Sequence, residues 1–184
     1  MKKLPVGIST FNHIIKDNYL YIDKTKDALN LISNYKYAFL SRPRRFGKSL
    51  FLDTLKEIFE GNRELFNGLY IYNKYSFNKH PVIKISWAGD LRSIDSIKQT
   101  ALAILKENQE ALEIECKEQS VSLCFRELIQ KAYKKYNKRV VVLIDEYDKA
   151  ILDNLDQINE VYLIGVEFSS QSRNIVKFEY KRIK

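Results

Sequence analysis

A short basic segment, Arg42–Ser49, contains the residue types that bind phosphate groups. It ends in Gly-Lys-Ser immediately before a pattern typical of a helix, so backbone N–H groups and the helix dipole would point at an anion. Lys48 would neutralise the β and γ phosphates of a nucleotide, and the Ser49 hydroxyl would coordinate Mg²⁺. The predicted nucleotide-binding residues are Arg42, Pro43, Arg44, Arg45, Phe46, Gly47, Lys48 and Ser49.

The segment departs from the strict pattern G-x-x-x-x-G-K-[ST], because Arg42 stands where the first Gly is required. The Gly-Lys-Ser or Gly-Lys-Thr tripeptide alone arises by chance in about one chain in ten of this length. The alternative is a basic helix start without a ligand, in which Arg44 and Arg45 face solvent.

An acidic pair, Asp145–Glu146, follows the apolar run Val140–Ile144. At the end of a strand, Asp145 would hold Mg²⁺ through water, and Glu146 would act as the general base that polarises an attacking water. The pair therefore predicts a metal ligand in Asp145 and a catalytic residue in Glu146. The alternative is that Asp145 caps the following helix.

These residues require an alternation of strands and helices to position them. Val140–Ile144 consists of five apolar residues, which is typical of a strand buried on both faces. Alternating elements predict an α/β fold, a three-layered α/β/α parallel sheet like that of P-loop NTPases. The predicted elements are a helix at Lys26–Ile32, a strand at Tyr37–Ser41, a helix at Lys48–Phe59, a strand at Val82–Trp87, and helices at Ile94–Leu112 and Leu123–Tyr136.

The last part of the chain predicts a different arrangement. After a short helix at about Tyr147–Leu155, Tyr162–Phe168 and Ile175–Arg182 resemble two strands joined by the polar loop Ser169–Asn174. This predicts a C-terminal β-hairpin.

Composition excludes several classes of protein. The chain has 184 residues, of which 45% are hydrophobic and 29% charged, and no apolar run approaches the ~20 residues of a membrane span. Cys116 and Cys124 have no metal-ligand spacing, and neither His13 nor His80 lies in a catalytic pattern. We therefore expect a cytoplasmic protein with no membrane partner. The net charge of +8 favours a polyanionic partner, whether nucleotide, nucleic acid or acidic protein.

Three motifs together resemble a known family: Tyr21–Thr25, Leu40–Leu50 and Leu143–Lys149. They are similar to those of bacterial AAA-ATPase-like proteins whose ATPase domain usually precedes a PD-(D/E)XK nuclease-like domain. The resemblance covers about Leu4 to Leu155, and that family also lacks the first Gly of the loop. It implies ATP and Mg²⁺ as ligands of the residues named above, with Asp23 and Lys24 as a signature near the nucleotide. The alternative for these two residues is a structural Asp–Lys pair in a turn.

The chain also departs from that family. A further strand with a sensor residue and a helical lid are missing, and Tyr162–Tyr180 resembles the terminal hairpin of the nuclease-like domain. We therefore expect an internally truncated chain, with a P-loop domain at residues 1–155 and a hairpin at residues 160–184. The incomplete sheet would expose edges that favour self-association. No D…E-x-K set lies between the acidic pair and the C-terminal hairpin, so nuclease activity is not expected.

Two functions follow from these observations. The first is an ATP-binding protein with weak or absent Mg²⁺-dependent hydrolysis. The alternative is a catalytically inactive, truncated interaction module that binds a protein or a nucleic acid through its basic surface.

Overall fold

The computed structural model describes residues 1–40, 45–89, 91–149, 161–167 and 177–183. Helices and strands alternate along most of these ranges. The elements are α1 (Phe11–Lys16), α2 (Thr25–Asn34), α3 (Lys48–Phe59), a 3₁₀ helix (Arg63–Phe66), β1 (Val82–Ser86), α4 (Ile94–Leu112), α5 (Val121–Tyr136), β2 (Val141–Asp145), β3 (Val161–Glu167) and β4 (Lys177–Ile183).

Strands β1 and β2 pair in parallel, with Val82 opposite Val141 and Ser86 opposite Asp145. Parallel strands need a long crossover, and α4 and α5 supply it. Both strands therefore end at the same edge of the sheet, with Ser86 and Asp145 as neighbours. We call this the carboxyl edge, and the opposite edge, where both strands begin, the amino edge.

Helices lie on both faces of this strand pair, as the predicted three-layered arrangement requires. On one face α3 contacts both strands, and its apolar side chains Phe51, Leu55 and Ile58 join Val82 and Leu143 in one core cluster. On the other face α4 packs on β1 and α5 packs on α4. That second cluster comprises Ile83, Leu105, Leu112, Ile114, Cys124, Leu128 and Ala132.

Helices α3, α4 and α5 begin and end close to their predicted limits because each carries a clear apolar stripe and a terminal signal. Ser93 forms a reciprocal capping box with Ser96 at the start of α4. Ser120 accepts a hydrogen bond from the Leu123 N–H at the start of α5. The turn after α3 holds Gly61 at φ +83°, and its Cβ position would lie 3.0 Å from the Phe77 carbonyl oxygen. Only glycine fits there without displacing the backbone.

Two expectations about strands were wrong. Tyr37–Leu40 forms no strand, and Ser41 lies outside the described residues. Strand β2 is not buried on both faces, because Val142 is 38% and Ile144 is 47% exposed. Alternation along β2 turns these two side chains away from α3, and α4 covers β1 on that side.

The N-terminal region holds a helix, α1, that the sequence did not predict, followed by α2 at the predicted place. At the other end of the chain, β3 and β4 pair in antiparallel fashion, with Val161 opposite Ile183, which confirms the hairpin. Its loop, Ser169–Asn174, and most of the short helix predicted at Tyr147–Leu155 lie outside the described residues.

Candidate functional site

The predicted phosphate loop, Arg42–Ser49, is described from Arg45 onward, and Arg42, Pro43 and Arg44 lie outside the described residues. Arg45 and Gly47 both adopt positive φ, 68° and 72°, which turns the backbone sharply into α3. Phe46 between them is 64% exposed. Gly47 is the N-cap residue of α3 and has no side chain to bond the first N–H groups of the helix. The start of α3 therefore presents the backbone donors that an anion would accept.

Lys48 and Ser49 open α3 and are half-buried. Within the described part of the chain, no ion pair or hydrogen bond engages the Lys48 ammonium group, whereas Lys56 on the same helix bonds Glu60 at 2.9 Å. A cation at a helix N-terminus opposes the helix dipole. A phosphate group bound at this position would offset that repulsion.

The acidic pair sits where β2 ends. Asp145 is half-buried, and its Oδ1 accepts a hydrogen bond of 3.0 Å from the N–H of Glu146. This bond goes to the adjacent residue, not to the second or third residue of a helix as an N-cap bond would. Glu146 is exposed and has φ 52°, a conformation that is strained for a residue other than glycine.

The segment before the phosphate loop lies beside this acidic pair. The ring centroids of Phe39 and Tyr147 are 4.7 Å apart, and Leu40 packs against the core cluster that contains α3. Burial, assisted by the charge of Asp148, raises the pKa of Tyr147. Both chain segments that would form the site therefore meet at the carboxyl edge.

Contacts along α3 fix its direction relative to the strands. The carbonyl of Phe59, at the end of α3, accepts a hydrogen bond of 2.7 Å from the N–H of His80, just before β1. One and a half turns earlier, Asp53 forms an ion pair of 3.0 Å with Lys84 in the middle of β1. Helix α3 therefore runs antiparallel to β1, and its N-terminus lies towards the carboxyl edge.

The position of Ser49 follows from these contacts. It precedes Asp53 by four helical residues, about 6 Å, and Ser86 follows Lys84 by two strand residues, about 6.6 Å. Ser49 is thus level with Ser86, whose partner across the sheet is Asp145. Asp145 also faces α3, because it is two residues beyond Leu143, which packs in the α3 cluster.

This arrangement brings towards one edge the groups that a phosphate and a divalent cation would need: the first N–H groups of α3 with Lys48, and the side chains of Ser49 and Asp145. Among the described residues, no group of three or more His, Cys, Asp or Glu side chains is placed to hold a metal. A hydroxyl and a single carboxylate fit Mg²⁺, which keeps several waters and often binds through one or two carboxylates together with substrate phosphates.

Asp23 has a structural contact that the sequence did not reveal. Its Oδ1 accepts hydrogen bonds from the N–H and the hydroxyl of Thr25, and its Oδ2 accepts one of 2.8 Å from the N–H of Tyr70. Burial alone would raise the pKa of Asp23, but these hydrogen bonds outweigh it and lower the pKa. Asp23 therefore joins the start of α2 to a segment almost fifty residues away.

Sequence reasoning also missed a buried polar network that joins Asp53 to Lys84 and Lys84 to Asn108. One signal was available, because Lys84 interrupts the apolar strand Val82–Ser86.

Cys116 and Lys135 both make contacts that stabilise the fold. Cys116 donates to the carbonyl of Cys124 at 3.5 Å, and burial together with that neighbour raises the pKa of Cys116 to about 12, so its thiol is a poor nucleophile. Lys135, in the basic cluster at the end of α5, donates to the carbonyls of Leu112 and Glu113. It therefore caps the end of α4.

A small cavity of about 170 Å³ lies at the amino edge, away from the acidic pair. Its lining includes Glu60, Lys79, His80, Leu112 and Tyr136. It brings together the ends of α3, α4 and α5, and none of the described residues of the predicted phosphate loop lines it.

Of the helices within the described ranges, none combines the length and the apolar composition needed to cross a bilayer.

Comparisons with known proteins bear on nearly the whole chain. A family model described as "Predicted AAA-ATPase" matches residues 5–184. The uncharacterized protein in the vnfD 5′ region of Azotobacter chroococcum mcd 1 is 49% identical over 157 residues, which are 84% of this chain and 30% of that protein. This chain thus spans less than a third of that relative's length. No solved structure matches it.

Proposed function

The chain belongs to the AAA-ATPase-like family of predicted AAA-ATPases, and on this premise we propose that it binds ATP with Mg²⁺ at the carboxyl edge of its β1–β2 sheet. The observation that carries the proposal is the orientation of α3. Its N-terminus has no side-chain cap, Lys48 has no ion pair among the described residues, and both are on the same edge and the same face as Asp145.

The binding residues have distinct roles in this proposal. The N–H groups at the start of α3 donate to the phosphates, and Lys48 offsets their charge. Ser49 and Asp145 hold Mg²⁺, which would bridge phosphate oxygens and stabilise the charge that develops on them. Arg42, Pro43, Arg44, Arg45 and Phe46 complete the loop around the phosphates.

Glu146 is the proposed general base, and hydrolysis would be slow. The carboxylate follows directly after Asp145, where it would orient a water towards the terminal phosphate. It is exposed to solvent, whereas catalysis by charge stabilisation is strongest in sites that exclude bulk water. ATP binding is therefore the principal activity that we propose, and turnover is secondary.

Calorimetry with Mg²⁺–ATP tests the proposal on the native chain and on Lys48→Ala. We expect micromolar binding by the native chain and a loss of about 100-fold or more in the variant, since a charge-assisted contact to phosphate is removed. Lys98→Ala is the matched control, because Lys98 is an exposed lysine on α4. It removes the same charge and should leave the affinity unchanged.

Two results would contradict the proposal. A folded native chain that binds no nucleotide would overturn it and favour the interaction module instead. Equal losses of affinity in Lys48→Ala and Lys98→Ala would assign the binding to net charge, not to the phosphate loop.

A further inference from the structure

We propose that Asp53 is a positioning residue, which sets the height of α3 on the sheet and so holds Ser49 opposite Asp145. This inference rests on the proposed function, because it concerns the metal-dependent part of ATP binding at the same site.

Asp53 is deeply buried, at 5% exposure, and both of its carboxylate oxygens are engaged. Oδ2 accepts a hydrogen bond of 2.8 Å from the N–H of Phe11 at the start of α1, and Oδ1 pairs with the Lys84 ammonium at 3.0 Å. A carboxylate is rarely buried unless it is paired. This one joins α3 to α1 on one side and to the sheet on the other.

Lys84 is itself held in place by α4. Its N–H donates to the side-chain oxygen of Asn108 at 2.8 Å, and its carbonyl accepts from the Asn108 amide at 2.8 Å. Asn108 also donates to the carbonyl of Ile104 in its own helix. The Lys84 ammonium group that pairs with Asp53 therefore belongs to a strand whose backbone is hydrogen-bonded to α4.

The ion pair between Asp53 and Lys84 is directional, whereas the surrounding apolar contacts are not. Burial of Phe51, Leu55 and Ile58 stabilises α3 on the sheet, but apolar packing is not directional. A charge-assisted hydrogen bond defines a distance and an angle. Asp53 is one turn from Ser49, so a shift of the helix at Asp53 moves Ser49 by the same amount relative to Asp145.

The phosphate contacts differ in this respect. The N–H groups at the start of α3 and the Lys48 side chain belong to the helix and move with it. The cation between Ser49 and Asp145 needs both the helix and the sheet. Disturbing Asp53 should therefore weaken the Mg²⁺-dependent gain in ATP affinity and spare the metal-free affinity.

Glu57 provides a matched control on the same helix. It is also buried, at 4% exposure, and its partners are local, with Asn62 at 2.5 Å and Lys56 at 3.7 Å. Removing its charge should lower stability, as removing that of Asp53 should. Since Glu57 makes none of these contacts with the sheet, it should not change the height of α3.

The experiment measures ATP affinity by calorimetry in Mg²⁺ and in EDTA for four variants: Asp53→Asn, Asp53→Glu, Glu57→Gln and Glu57→Asp. For both Asp53 variants we expect the ratio of the two affinities to fall about tenfold, with the affinity in EDTA within about twofold of native. Both Glu57 variants should keep the native ratio, although their Tm falls. Asp53→Glu retains the charge but changes its position, so its ratio of affinities tests the positioning role if Asp53→Asn does not fold.

An unchanged ratio in a folded Asp53 variant, or the same fall in the Glu57 variants, would overturn the positioning role and leave ATP binding standing. A native chain that binds no ATP would instead overturn the proposed function, and this inference with it.

Discussion

The two edges of the β1–β2 sheet differ in how completely their polar groups are satisfied. At the amino edge, His80 bonds the end of α3 and Lys135 bonds the end of α4. At the carboxyl edge, α3 begins without a side-chain cap and Glu146 holds a strained conformation. Among the described residues, the helix ends at the amino edge are thus bonded by other elements, whereas at the carboxyl edge α3 has no side-chain cap and Lys48 has no ion pair.

The difference between the two edges suggests that one contributes mainly to the stability of the fold and the other to the proposed binding of a ligand. Strain and unsatisfied groups concentrate at functional sites because the rest of the structure supports them. Substitutions at the amino edge should therefore change the free energy of unfolding and spare binding. Substitutions at the carboxyl edge should change binding or hydrolysis, and only those that relieve backbone strain should also change the free energy of unfolding.

The largest expected effect is in the aromatic cluster of the core. Phe66 is fully buried and stacks on Phe11, with ring centroids 4.7 Å apart, and it also contacts Phe77. Phe66→Ala should lower the free energy of unfolding by about 3–5 kcal/mol, since it removes buried area and leaves a cavity. Urea unfolding followed by the fluorescence of Trp87, the single tryptophan, would measure it.

Phe46 is the control at the carboxyl edge, because it is 64% exposed in the phosphate loop. Phe46→Ala should change the free energy of unfolding by less than about 0.5 kcal/mol. A loss similar to that of Phe66→Ala would show that the loop is part of the folded core and would break the comparison.

The next effect concerns turnover. Glu146→Gln should reduce the rate of ATP hydrolysis about 100-fold without changing Tm, because the amide cannot accept a proton from water. Glu113 is a close control, since it is also a glutamate at φ 52°, at the end of α4. Glu113→Gln should leave the rate unchanged, and a phosphate-release assay would compare the two. Equal rates in all three chains would exclude Glu146 as the base.

A smaller effect, dependent on pH, should follow from Asp23→Asn. Asp23 has a lowered pKa when folded, so its charge stabilises the protein above the unfolded value of about 3.9 and that stabilisation is lost as the pH falls through the folded value. The variant should lose about 1–2 kcal/mol at pH 7, and the difference should shrink below about pH 4. Urea titrations at both pH values would test this.

Asp27 is the control for this prediction, because it is exposed in the first turn of α2. Asp27→Asn should cost less than Asp23→Asn at pH 7. If the two variants lost equal stability, the contact between Asp23 and Tyr70 would have no special role.

The smallest effect is expected when the backbone strain at Glu113 and Glu146, which both have φ 52°, is relieved. Replacing either Glu113 or Glu146 by Gly should raise the free energy of unfolding by about 1 kcal/mol, because glycine adopts positive φ without steric cost. Only Glu146→Gly should also lose hydrolysis. A gain confined to Glu113 would mean that other contacts support the conformation of Glu146.

Much of the fold was predictable because its elements carry strong periodic patterns. Helix α3 has Phe51, Leu55 and Ile58 on one face, and its limits at Lys48 and Phe59 were predicted as the structure has them. The basic segment Arg42–Ser49 and the acidic pair were predicted as a site from residue type and order. Asp145 lies at the carboxyl edge because β2 ends there beside β1, and the start of α3 lies towards that edge because α3 runs antiparallel to β1.

Other features depend on tertiary contacts that a single sequence does not specify. The one-sided exposure of β2 at Val142 and Ile144 depends on where α4 packs, not on the residues of the strand. The pairing of Asp53 with Lys84 joins positions 31 residues apart, and a lysine in an apolar strand does not identify its partner. Tyr37–Leu40 has the composition of a strand but forms no ladder.

The crossover between β1 and β2 has a consequence for how the chain folds as it is made. His80 and Arg139, which meet at the start of the two strands, are 59 residues apart in the chain. Helix α3 leaves the ribosome well before β2. At a synthesis rate of about 5–20 residues per second, on the order of ten seconds pass before Leu143 is available to pack on its apolar face. During synthesis the apolar face of α3 is therefore open to chaperones and to aggregation until β2 has been made.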